Sequence, residues 1–296
     1  MSSKLTIEVW FGAGAIATAA KQVGCVTSLI VIASEATQSR AGCLRMIEIA
    51  PLLAMTAPSA RPIPARIEDR LIVALDLPTV DAARGIVERL DGIVSFFKLG
   101  LWLIFAPGFE RLLDDILGRG NRVFLDAKMF DIGETVKQGV ARAAERGVSF
   151  VTVHGDHDII RAAVAGKAGS DLRILAITVL TSIDDAGARE LGYGVPVEEL
   201  IRLRVAACTD LGCDGIIASP HDVSAIRRLP DAGKLLVVTP GVRLAGAAFD
   251  DHKRAGSPSQ AIAAGADYLV VGRPIVQAAD PASAAAQIIA DMKSAA

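Results

Sequence analysis

From Arg70 to the C-terminus, eight short apolar runs alternate with longer stretches of helical composition, and this alternation constrains the fold more than any other feature. The runs are Leu71–Leu75, Ser95–Leu99, Arg122–Leu125, Phe150–Val153, Arg173–Val179, Gly215–Ala218, Leu235–Thr239 and Tyr268–Val271. Most are continuously apolar rather than alternating, as expected of parallel strands covered on both faces. The intervening stretches have helix-start signals. Ser257-Pro258-Ser259-Gln260 reads as a capping box with proline at the first helical position, and Asp280-Pro281 opens the last helix in the same way. Eight strand–helix repeats within about 230 residues predict an α/β fold of the (β/α)8 TIM-barrel kind. A doubly wound open sheet is the alternative, since a strand count does not show closure.

Residues 1–66 stand apart from this pattern. They hold six of the 31 basic and three of the 33 acidic residues, so this stretch is net +3 and the remainder net −5. They show no sustained helical or strand period and end in Ala57-Pro58-Ser59-Ala60-Arg61-Pro62-Ile63-Pro64, a linker composition. A poorly structured N-terminal extension (1–66) followed by a catalytic barrel (67–296) is therefore expected. Met46 and Met55 are plausible later starts, and the barrel is expected to need nothing before about Ile67.

The mean hydropathy of +0.43 requires a check for a membrane span. The longest weakly charged stretch, Glu8 to Glu35, is interrupted by Lys21 and Gln22, and the run Leu29–Ala33 is far short of the roughly 20 residues a bilayer needs. Lys4 and Glu8 precede any apolar run, a poor start for a signal peptide. A cytoplasmic protein without membrane contact is expected. A net charge of −2 argues against a nucleic-acid surface, and four cysteines among 296 residues do not make a disulfide scaffold.

In such a barrel, the site is built at the C-terminal ends of the strands. The first run ends at Asp76, and the second holds Lys98 near its end, then Gly100. The third leads into Asp126-Ala127-Lys128-Met129-Phe130-Asp131. The fourth ends at His154, the fifth leads to Thr181-Ser182 and the sixth to Ser219-Pro220. The seventh leads to Pro240-Gly241-Val242-Arg243 and the eighth to Gly272-Arg273. At strand spacing Asp126 and Lys128 share a side. Alternating charges from neighbouring strands would keep a lysine protonated and able to donate a proton. A purely structural ion-pair network at the barrel mouth is the alternative. Gly272-Arg273 and Arg243 fit an anion site at the last strands, against the alternative of surface arginines near helix ends. His154 is expected packed or substrate-facing, His157 exposed, Cys208 and Cys213 buried, and Gly192-Tyr193-Gly194 part of a loop.

At these residues the chain resembles the orotidine 5′-phosphate decarboxylase family over roughly residues 70–290. The most specific match is Leu125-Asp126-Ala127-Lys128-Met129-Phe130-Asp131-Ile132-Gly133-Glu134-Thr135, which is similar to the family's Asp-x-Lys-x-x-Asp-Ile-Pro-Asn-Thr signature. Ala74-Leu75-Asp76, Lys98-Leu99-Gly100, Leu180-Thr181-Ser182, Pro240-Gly241-Val242-Arg243 and Val271-Gly272-Arg273-Pro274 match in order. The resemblance implies a lyase that decarboxylates orotidine 5′-phosphate to UMP, the last step of de novo pyrimidine synthesis, without metal or organic cofactor. It implies that Lys128 is the proton donor to C6, that Asp126 sits near the departing carboxylate, and that Lys98 and Asp76 bind ribose hydroxyls. It further implies that Asp131 and Thr135 serve the partner's site in a homodimer, that Thr181 and Ser182 contact the pyrimidine, and that Arg243, Gly272 and Arg273 bind the phosphate region.

Three positions depart from the family pattern. Gly133 stands where the family usually has Pro, Glu134 where it usually has Asn, and His252 where a phosphate-contacting Gln is common. His252 can still donate a hydrogen bond. The rival readings are a Mg²⁺-dependent sugar-phosphate decarboxylase or aldolase of the same barrel group, and a non-catalytic phosphate-binding barrel. The metal-dependent members place an acidic ligand where this chain has Lys98, and an ammonium cannot ligate Mg²⁺.

Overall fold

The computed structural model describes residues 5–11, 15–21, 63–243 and 256–295, the first two stretches by backbone alone. The chain divides into two compact units between Met55 and Thr56. In the first unit Leu5–Phe11 (β1) pairs antiparallel with Ala15–Lys21 (β2), with Leu5 opposite Lys21 and Phe11 opposite Ala15. Within residues 1–62 of the N-terminal extension these two short strands are the described part; the rest of that stretch lies outside the described residues. Four of the seven residues of β2 are alanine, which reads equally on either face and so weakens a period of two.

The second unit is a closed parallel barrel. Its strands are Leu71–Ala74 (β3), Phe96–Leu99 (β4), Arg122–Met129 (β5), Phe150–His154 (β6), Arg173–Ile177 (β7), Gly215–Ile217 (β8), Leu236–Pro240 (β9) and Tyr268–Val271 (β10). Each pairs with the next, and β10 closes on β3 with Val270 beside Ile72. Closure excludes the open-sheet alternative. Seven strand ends lie within two residues of their predicted positions. β5 differs: it runs on from Leu125 to Met129, rejoining β6 where Met129 pairs with Val153. The polar Asp126-Ala127-Lys128 segment carries no apolar signal, so hydrophobicity alone ends the strand too early.

Two apolar clusters hold the barrel. The larger lies between strands and helices. The smaller fills the interior with Ile72, Phe96, Phe124, Phe150, Leu236 and Tyr268 among others. Phe150 meets Phe96 and Tyr268 edge-on at centroid distances of 4.9 and 5.2 Å, the arrangement ring quadrupoles favour. Ile63 packs against this interior cluster, so the barrel uses residues upstream of Ile67. At the N-terminal face Asp267 takes Arg227 at 2.6 Å and Asp214 takes Lys167 at 2.6 Å, pairs that sit where barrels keep their stability rather than their chemistry. The Ser257–Gln260 capping box is present, and Asp280 accepts from the amides of Ala282 and Ser283. Among the described residues no helix is long and apolar enough to cross a membrane.

Candidate active site

Alternation along the strands brings the polar residues together. Phe96, Phe124 and Phe150 point into the barrel. Two residues further along each strand, on the same face, stand Lys98, Asp126 and Thr152. Asp76 follows Ala74 by the same step just beyond β3. The apolar interior therefore gives way to a polar floor at the C-terminal end of β3–β6.

On that floor the charges form a line of alternating sign. Lys98 Nζ lies 3.1 Å from Asp76 Oδ1 and 3.2 Å from Asp126 Oδ2, and Lys128 Nζ lies 2.8 Å from the same Asp126 oxygen. The Thr152 hydroxyl donates to Asp126 Oδ1 at 2.8 Å. Lys98 and Asp126 are about nine-tenths buried, whereas the Lys128 side chain is 40% exposed and forms the open end of the line. Burial alone would push the Lys98 ammonium down; the carboxylates of Asp126 and Asp76 outweigh it and hold its pKa above the ordinary value. Burial likewise opposes the Asp126 carboxylate, but Lys98 and Lys128 with the Lys128 and Thr152 hydrogen bonds hold it below the usual range. Both groups stay charged at neutral pH.

The backbone at Lys128 is unusual. Its φ is +46°, the left-handed region that non-glycine residues seldom enter. It sits where the β5–β6 register shifts between Leu125 and Met129. In that conformation the Lys128 amide donates to Thr152 Oγ1 at 2.9 Å. A backbone strain of order 1–3 kcal/mol of this kind persists only where the surroundings enforce it. Thr152, 1% exposed, holds both the strained amide and the Asp126 carboxylate. Gly100 matters for a different reason. A Cβ there would stand 2.9 Å from Asp76 Oδ1 and 3.2 Å from Lys98 Nζ, inside the ion pair.

Known proteins are similar to this chain over the barrel. The family described as "Orotidine 5'-phosphate decarboxylase / HUMPS family" matches residues 69–288. The chain belongs to that family. The orotidine 5′-phosphate decarboxylase of Cereibacter sphaeroides is 49% identical over 227 residues, which span 76% of this chain and 97% of the relative. The one from Methylobacterium radiotolerans is 48% identical over 224 residues, covering 76% and 96%. The crystal structure of orotidine 5′-phosphate decarboxylase from Lactobacillus acidophilus superposes with a TM-score of 0.65 at 33% identity, covering 76% of this chain and 99% of that one.

The remaining positions singled out by resemblance to the decarboxylase family lie on the segments after several strands. Gly272 and Arg273 follow β10 beside the end of β3, where a Gly272 Cβ would touch Ala74 Cβ at 3.4 Å. Arg243 follows β9; its amide donates to the Gly256 carbonyl at 3.0 Å and its Nη1 to the Val242 carbonyl at 2.9 Å. Thr181 and Ser182 follow β7, Thr181 half-buried and Ser182 exposed. His252 lies outside the described residues. Asp131 and Thr135 are exposed, and the Asp131 carboxylate accepts from the Ile132 amide at 2.6 Å. Asp131 therefore turns outward within its own chain, away from the line that Asp126 and Lys128 share. Thr152 was not singled out by sequence, and Gly100 was named beside Lys98 without a role of its own. The available signal for Thr152 was a threonine at the inward position of the otherwise apolar run Phe150–Val153. Cys208 and Cys213 are buried and His157 is exposed, as expected. Ser219 is fully buried and donates to Asp222 Oδ2 at 2.6 Å, a hydrogen bond within the turn after β8.

Proposed function

We propose that this chain decarboxylates orotidine 5′-phosphate to UMP, with Lys128 as the proton donor and no metal in the reaction. The observation that carries this reading is Lys98, seated between Asp76 and Asp126 at the position where the metal-dependent barrels need an acidic ligand. Cleaving the C6–carboxylate bond leaves its electron pair on C6, which has no electron sink of its own. A fixed ammonium stabilises that developing charge without reorganising. The Lys128 Nζ then transfers a proton to C6, and the resulting amine regains a proton from water at its exposed side. Asp126 and Thr152 hold the lysine in place, and Asp76 with Lys98 presents polar groups for ribose hydroxyls. Arg243, Gly272 and Arg273 take the phosphate, whose binding energy serves to organise the site although it does not react.

The test is loss of the orotidine 5′-phosphate absorbance with the purified chain, with and without EDTA. Turnover unaffected by EDTA is expected, together with no detectable turnover and retained UMP binding for Lys128→Ala. A metal requirement, or near-normal activity without Lys128, would overturn the assignment.

The active unit is proposed to be a homodimer in which Asp131 and Thr135 complete the partner's site. Trp102 and Phe105 are 64% and 82% exposed on and just after the short helix Leu101–Ile104, which packs beside β5. Phe130 and Ile132, 68% and 74% exposed, flank Asp131. Large apolar side chains gathered at the barrel mouth mark a surface that is covered. Sedimentation should give a dimer for the parent and a monomer of reduced activity for Phe105→Asp. A dimer that survives this substitution would place the interface elsewhere.

A further inference from the structure

We propose that Arg204 is a positioning residue that clamps the loop carrying Thr181 and Ser182. It stands on the helix Val197–Asp210, remote in sequence from every residue in the charge line, and is only 7% exposed. Its Nη1 donates to the Thr178 carbonyl at 2.5 Å, at the start of the loop that leaves β7. Its Nη2 donates to the Tyr193 hydroxyl at 2.9 Å, near that loop's return, and the guanidinium carbon lies 5.4 Å from the Tyr193 ring centroid. One planar, five-donor side chain thus holds both ends of the segment between Thr178 and Tyr193.

The same guanidinium reaches the end of β6. Nη2 is 3.8 Å from Asp156 Oδ2, and that oxygen is 2.6 Å from His154 Nδ1. The His154 ring packs on Phe130, two residues beyond Lys128, at a centroid distance of 4.5 Å. Gly155 makes room for the arrangement: a Cβ there would collide with the Ile177 carbonyl and stand 2.8 Å from Arg204 Cδ. The loop after β7 and the segment after Lys128 are thereby tied to one buried cation.

A loop held at both ends stays in its binding-competent arrangement for a larger fraction of the time. Apparent affinity falls in proportion when that fraction falls, while the chemical step of the bound complex does not change. This inference rests on the decarboxylase reading for its kinetic arm only. The variants are Tyr193→Phe, which removes one oxygen and keeps the packing, and Arg204→Lys, which keeps the charge and loses the fork.

Trypsin reads the clamp without catalysis, because Arg189 is exposed on the short helix Asp185–Glu190 within the clamped segment and is cut only when that segment opens. Both variants should be cut after Arg189 faster than the parent while melting close to it. In the active enzyme, KM for orotidine 5′-phosphate should rise about fivefold or more with kcat within about twofold. Cutting at the parental rate, or a fall in kcat with KM steady, overturns the clamp. Absence of turnover in the parent would instead overturn the functional reading and leave the proteolysis result to decide this one.

Discussion

At the scale of single residues, Asp126 is the hinge of the site, since it takes both ammoniums and the Thr152 hydroxyl. Its place in the line was legible in the sequence, because strand spacing puts it on the same side as Lys128 at the end of an apolar run. The role of Gly100 was not, because the reason for a glycine is a collision that appears only once Asp76 and Lys98 are in place. The Asp126 pKa is lowered in the folded chain. Its contribution to stability is therefore present above the unfolded value of about 3.9 and is lost as pH falls through the lower folded value. Lys98 runs the other way. Its contribution is complete below about 10.4 and is lost only as pH rises through its raised folded value. At neutral pH, Asp126→Asn should destabilise the chain by about 3 kcal/mol, because it leaves a buried ammonium short of a partner. The gap in melting temperature between parent and variant should close as the acid limb below about pH 4 is reached. A gap that stays constant across that limb would mean that folding does not lower the Asp126 pKa.

At the scale of the element, the informative strand is β5. Every other strand of the barrel could be drawn from hydrophobic runs, whereas β5 hides its last four residues in the Asp126–Met129 segment that carries the charge line. Its irregularity is functional in form, since the register shift and the +46° φ of Lys128 aim a strand residue along the line of Asp126. Strand spacing alone places Asp126 and Lys128 on one side, and the two do meet, although through a bulged backbone rather than a regular pleat. Thr152 on β6 is what enforces this. Thr152→Val keeps the shape but removes an acceptor from the Lys128 amide and a donor from Asp126, at a cost of about 1–3 kcal/mol. Part of that cost should appear as a loss of at least tenfold in kcat, since each 1.4 kcal/mol of lost transition-state stabilisation is tenfold in rate. Thr152→Ser, which keeps the hydroxyl, should recover most of it. Equal kcat for parent, Val and Ser variants would show that the bulge holds itself.

At the scale of the whole molecule, the closed ring explains why a chain of low net charge can take an anionic nucleotide. Residues 67–296 are net −5, whereas Lys98, Lys128, Arg243 and Arg273 all stand at or just past the C-terminal ends of barrel strands. The barrel closes through β10 on β3 and needs no residue upstream of Leu71 for that closure. It does use Ile63 against the interior cluster, and Glu68 takes Lys293 of the last helix at 3.6 Å. The proline-rich composition of 57–64 reads as a linker and conceals this packing, because an isolated isoleucine between prolines carries no period. A chain that begins at Ile63 should therefore turn over like the full-length protein, since Asp76, Lys98, Asp126, Lys128 and Thr152 all lie within the ring. A chain that begins at Ile67 should lose the partly buried isoleucine, worth about 1 kcal/mol. That corresponds to roughly 2–4 °C in melting temperature for a domain of this size, with kcat unchanged. Thermal melts and turnover on the two truncations separate the alternatives. Lost activity in the Ile63 chain would assign residues 1–62 a part in catalysis, and equal melting temperatures for both would remove Ile63 from the core.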